Sequence, residues 1–206
     1  NIKIVSIGSE NQLGIAKKIP VNEESIDNPL TVFGVNKLIA EQYLNFYKKS
    51  YNINSINLRL SNVYGPSGFQ ENNLKVSLNK MISNTLNEKI ILYDNQDSIR
   101  DFIFIDDVID AIISAMKNIK KLDQNYYYIG SGKGYSLREI SEKITKQVSK
   151  YYPTKKISKI QIRKKMSDFD KRNFIANIKK FKKVTGWSPK ISLLEGIKNT
   201  IFNLIK

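Results

Sequence analysis

Short apolar runs alternate with stretches whose apolar residues recur at helical spacing. Residues 2–7 form an apolar run rich in β-branched side chains, which predicts a short buried strand. Residues 34–49 place Val35, Leu38, Ile39, Tyr43, Leu44 and Tyr47 on a helical repeat. Asn54–Leu60 alternates as a strand does. Leu74–Leu86 is amphipathic through Val76, Leu78, Met81, Ile82 and Leu86. Ile90–Tyr93 and Phe102–Ile105 read as strands, and Asp106–Met116 as a helix whose acidic start suits its amino terminus. Tyr126–Gly130 reads as a strand ending at glycines. Ser136-Leu137-Arg138-Glu139 is a capping box, followed by Ile140, Ile144 and Val148 at helical spacing. Ile157–Arg163 is a further strand, and helices over Asn177–Thr185 and Leu193–Ile205 flank Gly186-Trp187-Ser188-Pro189. This alternation predicts an α/β fold with a largely parallel sheet.

Composition narrows the chemistry. The 206 residues contain no cysteine and no histidine, so a disulfide framework, a thiolate nucleophile, a histidine-containing zinc site and a Ser-His-Asp triad are excluded within this chain. No apolar run reaches the roughly 18 residues needed to span a bilayer. The first residue is Asn rather than Met, and the chain is expected to be cut from a longer one. The net charge of +15 admits a basic nucleic-acid-binding domain as an alternative. Against it, only five of the 34 basic residues are arginine, the preferred reader of phosphates and base edges. The lysines are scattered, as on a solvated surface, and a basic rim suits an anionic small molecule.

A parallel sheet of this type normally opens on a glycine-rich turn that holds a dinucleotide phosphate. The one glycine cluster, Gly130-Ser131-Gly132-Lys133-Gly134, fits neither Gly-x-Gly-x-x-Gly nor a P-loop, and reads as a loop between a strand and a capped helix. Taken alone, Phe33-x-x-x-Lys37 is an aromatic and a lysine one turn apart. Its context adds Ser9 after the first strand, Glu41 at i+4 from Lys37 (a spacing that also makes ordinary surface pairs) and Leu58-Arg59-Leu60-Ser61-Asn62-Val63-Tyr64-Gly65-Pro66. The last of these ends a strand in a polar turn, where open α/β sheets place ligands.

These pieces, with Asn72-Asn73-Leu74, Arg100-Asp101-Phe102-Ile103-Phe104-Ile105-Asp106-Asp107-Val108, Tyr128-Ile129-Gly130-Ser131-Gly132 and Gly186-Trp187-Ser188-Pro189, follow one order. That order resembles the extended short-chain dehydrogenase/reductases, the NAD-dependent epimerase/dehydratase family of UDP-galactose 4-epimerase and dTDP-glucose dehydratase. The resemblance runs almost from end to end and implies the carboxy-terminal part of a Rossmann-like parallel sheet with a small α/β substrate-binding lobe. It implies residues 1–66 as the remainder of the NAD-binding domain and 67–100 as a lobe segment. Residues 101–135 return to the sheet, and 136–206 complete the lobe.

The same resemblance implies roles. Ser9 stands where the family hydrogen-bonds the reacting sugar hydroxyl. Lys37 stands where a lysine binds the nicotinamide ribose and lowers the pKa of the catalytic tyrosine. Asn62 stands where a loop asparagine contacts the sugar nucleotide, and Asn73 and Leu74 where a helix amino terminus receives substrate phosphates. Arg100 and Arg163 match the arginines that grip the diphosphate. Phe33 departs from the pattern: the family has Tyr there, and phenylalanine keeps the ring without the acid or base. Tyr151-x-x-x-Lys155, Tyr152-x-x-x-Lys156 and the loop residue Tyr64 are weak substitutes. Gly8 stands where the family has serine and Leu13 where it has tyrosine.

The expected function is therefore a cytoplasmic NAD- or NADP-dependent nucleotide-sugar epimerase or dehydratase, impaired at Phe33, acting on a nucleotide-diphosphate sugar. The alternatives are a non-catalytic sugar-nucleotide binder and the nucleic-acid-binding domain. The resemblance also implies a homodimer through the helix that carries Leu38–Tyr47, unless that stripe faces the sheet.

Overall fold

The fold was analysed in a computed structural model that describes residues 2–66, 77–157, 161–163 and 172–204. Strand β1 (Lys3–Ser9), β2 (Asn54–Leu60) and β7 (Tyr126–Ile129) form a parallel sheet in the order β1-β2-β7. Ser9 lies opposite Leu60, so the two chains leave the sheet at the same edge. Side chains of β2 alternate between two different environments, as the pleat requires. Ile56 and Leu58 enter an apolar cluster with Ile103, Val108, Ala111, Tyr127, Phe181 and Trp187. Asn57 and Arg59 point to the opposite face, where helix α1 (Val32–Tyr51) lies.

Helix α1 begins two residues before the expected start. Thr31 caps it, its hydroxyl accepting from Gly34 N at 3.0 Å, and Asn52 ends it in a left-handed conformation with φ of 52°. Its buried residues are Gly34, Glu41 and Asn45. The apolar stripe does not cover the sheet: Val35, Ile39, Tyr43 and Tyr47 are all exposed, and Leu38 and Leu44 are half-buried. The reason lies on β2. A strand face carrying Asn57 and Arg59 needs hydrogen-bond acceptors opposite it, so α1 turns its polar side inward.

Strand β6 (Phe102–Phe104) pairs in parallel with β3 (Asn62–Tyr64) and divides the two apolar clusters. Ile103 belongs to the sheet cluster, whereas Phe102 and Phe104 join Tyr64, Leu78, Ile82, Ile140, Ile144, Ile197 and Ile201 in the second. That second cluster gathers helix α2 (Ser77–Leu86), α4 (Leu137–Tyr151) and α6 (Leu193–Leu204). Helix α3 (Ile105–Asn118) follows β6 directly and supplies Val108 and Ala111 to the sheet side. Segment 136–206 contributes to both clusters, because helix α5 (Lys179–Thr185) sends Phe181 to the sheet side.

Local signals in the sequence held where side chains set them. In the capping box, Glu139 N donates to Ser136 Oγ at 3.1 Å and Ser136 N to Glu139 Oε2 at 2.7 Å. Non-local pairs were less legible. Short strand β4 (Ile91–Tyr93) pairs in parallel with β9 (Gln161–Arg163), and β5 (Ile99–Arg100) pairs antiparallel with β8 (Tyr135–Ser136). The expected strand over Ile157–Arg163 is thus strand at 161–163, while residues 158–160 lie outside the described set. No helix among the described residues is long and apolar enough to cross a membrane.

Candidate active site and substrate cavity

Ser9 ends β1 and caps the short turn Glu10–Gln12. Its hydroxyl oxygen accepts from Asn11 N at 3.3 Å and Asn11 Nδ2 at 3.0 Å. With those acceptor positions taken, the remaining capacity of the hydroxyl is to donate its proton. Ser9 N in turn donates to Gln12 Oε1 at 2.9 Å, closing a reciprocal capping box.

Helix α1 packs against this turn at Gly34. A Cβ at that position would run into the carbonyl of Asn11 and stand 3.2 Å from Pro29 Cβ. The absent side chain is what lets Phe33 and Lys37 approach the Ser9 turn. Gly34→Ala is expected to cost about 1–3 kcal/mol by overpacking, read as a lower urea midpoint with an unchanged slope.

Lys37 Nζ donates to the carbonyl of Ile7 at 2.7 Å and lies 5.8 Å from the centroid of the Phe33 ring. The ammonium is therefore fixed between the end of β1 and the aromatic that follows Val32. Phe33 is 54% exposed, so its ring is open to a ligand on the helix surface. Glu41 does not pair with Lys37; it is buried and bonded elsewhere.

Behind the turn lies a buried polar network. The guanidinium of Arg59, 0% exposed, donates from Nε to Glu41 Oε2 at 2.9 Å and from Nη2 to Glu41 Oε1 at 2.6 Å. It also clamps Asp27 through Nη1–Oδ1 at 2.6 Å and Nη2–Oδ2 at 2.7 Å, and stacks 3.5 Å from the Tyr126 ring centroid. Asn57 Nδ2 and Gln12 Nε2 donate to Glu41 Oε2 as well. Burial alone would lower the pKa of Arg59, but the bonds to Asp27 and Glu41 outweigh it and raise the value. Through Gln12 this network reaches Ser9 itself.

A second group of predicted residues lines a cavity of about 360 Å³, within the size range of small-ligand sites. Asn62 and Arg100 are in its wall, with Lys80, Asn84, Tyr93 and Arg172. Asn62 is held by its backbone N and its Nδ2, both donating to the carbonyl of Asp101 at 3.1 and 3.2 Å. Arg100 is 6% exposed and donates to the carbonyl of Ile99. Arg163 is exposed on β9; it pairs with Tyr93 in register, but its side chain is not in the cavity wall. Asn73 and Leu74 lie outside the described residues.

The tyrosine substitutes fare poorly on geometry. Tyr64 is 2% exposed, donates to the carbonyl of Leu193 and sits edge-on to Phe102 and Phe104. Burial, reinforced by the charge of Asp107, raises its pKa, the wrong direction for a base. Tyr151 packs edge-on against Phe202 of helix α6. Leu13 is a core residue beside Val21 and Phe174. The glycine cluster has a structural partner: the buried carboxylate of Asp101 accepts from Ser131 N, Ser131 Oγ, Gly132 N and Ala176 N. Those loop amides thus serve an internal anion, and a Cβ on Gly130 would collide with it.

Arg172 was not singled out in the sequence. Its Nη2 donates to Glu10 Oε1 at 2.9 Å and to Asn11 Oδ1 at 3.2 Å. It therefore joins the Ser9 turn to the cavity. The signal that could have found it is weak: Arg172 is one of five arginines, in a segment without strong periodicity.

Comparison with known proteins places the chain by family and fold. The family model for GDP-mannose 4,6 dehydratase matches residues 1–200. A UDP-glucose 4-epimerase from Lactobacillus helveticus is 28% identical over 92% of this chain and 60% of its own length. The crystal structure of UDP-glucose 4-epimerase from Thermotoga maritima with UDP-glucose superposes with a TM-score of 0.85 at 25% identity, over 100% of this chain and 64% of that one. A Tyr-to-Phe mutant of UDP-glucuronic acid 4-epimerase from Bacillus cereus, in complex with UDP-4-deoxy-4-fluoro-glucuronic acid and NAD, gives 0.82 at 24% identity, over 98% and 61%. The chain thus spans about three fifths of the length of the curated relatives it matches. With the parallel sheet, the Ser9 turn and the Phe33–Lys37 helix in the expected order, the chain belongs to the NAD-dependent nucleotide-sugar epimerase/dehydratase family of the short-chain dehydrogenase/reductases.

Proposed function

We propose that this chain binds a nucleotide-diphosphate sugar, with the sugar at the Ser9 turn and the diphosphate in the Arg100 cavity, and that its proton-transfer step is disabled at Phe33. The observation that carries the reading is the pairing of two features. A cationic cavity is wired to a serine whose hydroxyl is set to donate, and the aromatic beside Lys37 has no ionisable group.

In this reading Ser9 orients the reacting hydroxyl of the sugar. Lys37, anchored on Ile7 O, presents its ammonium to the same place and to the nicotinamide ribose of NAD or NADP. The anchored lysine fits that task; the dinucleotide phosphates are assigned to no residue of this chain. When bound, the nicotinamide would supply hydride exchange with a sugar carbon. The proton leaving the sugar hydroxyl would need a base, and Phe33 offers none. Asn62, fixed by Asp101, contributes a polar contact at the cavity wall.

Incubation with NAD and UDP-glucose, followed by chromatographic separation of the UDP-sugars formed (the hydride is returned in each turnover, so no reduced nicotinamide accumulates), tests the reading. We expect no more than about 1% of the turnover typical of enzymes, near 10 s⁻¹. Turnover at the typical rate would contradict it. The exposed aromatic face of α1, including Tyr43, Phe46 and Tyr47, supports a homodimer through that helix.

A further inference from the structure

Helix α1 is tied to the end of β1 and to the turn after it, on either side of Gly8. Lys37 Nζ donates to the carbonyl of Ile7 at 2.7 Å. Glu41, one turn further along the same helix, accepts from Gln12 Nε2 at 2.9 Å. The other end of that amide serves the serine, with Gln12 Oε1 accepting from Ser9 N at 2.9 Å. Gln12 is 0% exposed, so the protein itself must satisfy both ends of the amide.

The direction of this amide follows from its neighbours. Glu41 Oε2 also accepts from Asn57 Nδ2 and Arg59 Nε, and its Oε1 accepts from Arg59 Nη2. A carboxylate so surrounded offers only acceptors, so Gln12 turns its NH2 group to Glu41 and its carbonyl to Ser9. The reversed amide would set N–H against N–H at Ser9 and oxygen against oxygen at Glu41, leaving buried groups unpaired. Held this way, Ser9 stays in the cap position, its Oγ accepting from Asn11 and its proton left to donate. Gly8 opens the path. A Cβ there would stand 2.5 Å from Gln12 Oε1 and 2.6 Å from Asn57 Nδ2, so this strand position is kept bare for the two side-chain amides that meet Glu41.

We infer that Gln12 is a positioning residue for Ser9, relaying the place of α1 to the serine hydroxyl through Glu41, with Gly8 as the opening it passes through. This rests on the reading above that puts the sugar at Ser9. Lys37 and Glu41 ride on one helix, so the relay fixes the separation between the ammonium and the serine that face the same ligand. The glycine at position 8 and the glutamine at position 12 are then one device, since the amide reaches Glu41 only where the strand carries no side chain.

The test is isothermal titration of the 206-residue chain with UDP-glucose and with UDP. The proteins are wild type, Gln12→Met, Ser9→Ala, the double variant of these two, and Gly8→Ala. Methionine keeps the length of the side chain and removes both bonds. It should weaken UDP-glucose binding about 3- to 10-fold, the range of one ordinary hydrogen bond. Binding of UDP, which lacks the sugar, should stay within about twofold. Ser9→Ala should show the same selective loss, and the double variant should bind no more weakly than Ser9→Ala, because both changes act through one hydroxyl. Gly8→Ala crowds the amide without removing it and should give a smaller loss of the same kind. If Gln12→Met fails to fold, the selectivity of the Gly8→Ala loss decides. Equal losses for UDP and UDP-glucose, additive losses in the double variant, or wild-type affinity in Gln12→Met would overturn the proposal and leave Gln12 a structural strut. If Ser9→Ala binds UDP-glucose as wild type does, or wild type does not bind it at all, the reading that puts the sugar at Ser9 fails as well.

Discussion

Arg59→Met is expected to lower the melting temperature by about 6–20 °C. The side chain is 0% exposed and satisfies two carboxylates at once. Its removal leaves Glu41 as an uncompensated charge in the interior and takes the partner from the half-buried Asp27. Breaking a buried pair in this way costs about 3–5 kcal/mol, a large share of the roughly 5–15 kcal/mol that holds a domain. At this chain length each kcal/mol shifts the midpoint by about 2–4 °C. Glu41→Gln, which keeps a carbonyl acceptor for Arg59, should cost less than Arg59→Met. The double variant should cost less than the sum, because the two residues share one network. Scanning calorimetry on the three proteins is sufficient. A melting point within about 2 °C of wild type for Arg59→Met would show that α1 is held to β2 by something else.

The second large effect concerns chemistry. Phe33→Tyr restores a phenol on a ring whose centroid lies 5.8 Å from the Lys37 ammonium. A cation at that distance favours the phenolate. General acid–base catalysis is typically worth about 10²–10⁴ in rate, and we expect a gain of that size in hexose epimerisation by the protein with NAD. Because the ring and its contacts stay in place, substrate affinity should change by less than about threefold. A gain in kcat with a steady KM is the signature of an interaction made only in the transition state. If Phe33→Tyr is no faster than wild type, the phenol was not what the site lacked.

Much of the architecture could be read in the sequence because local chemistry sets it. Ser136 and Glu139 define a helix start by themselves, and the alternation in Asn54–Leu60 announces a two-faced strand. Helix α1 is more instructive, because the sequence left open which way its stripe would face. Its apolar residues recur at helical spacing, yet most of them face outward, and Glu41 and Asn45 face in. Helical periodicity identifies a stripe but not which side of the helix the sheet will meet. The clue was on another element. Asn57 and Arg59 occupy alternate positions of a strand whose other face is apolar, so the partner helix had to present acceptors.

The candidate site was legible in part. Ser9, Lys37, Asn62 and Arg100 came from ordered motifs, and the structure puts Ser9 and Lys37 at the end of β1 and Asn62 and Arg100 in one cavity wall. Arg172 was missed because its significance is a contact with Glu10, 162 residues away. Neither residue belongs to a spaced motif. Asp101 was visible only as a letter in a strand, though its carboxylate organises the Gly130–Gly132 loop and its carbonyl fixes Asn62. Long-range polar pairs of this kind depend on the finished fold and leave little periodic trace.

The central claim is that this chain binds sugar nucleotides, its basic surface notwithstanding. Titration calorimetry with UDP-glucose and dTDP-glucose, beside a random-sequence oligonucleotide, tests it most directly. We expect saturable one-to-one binding of at least one sugar nucleotide that persists at 0.5 M salt (about 4 Å of screening length), and oligonucleotide binding that disappears there. Salt-resistant oligonucleotide binding with no heat from either sugar nucleotide would contradict the account.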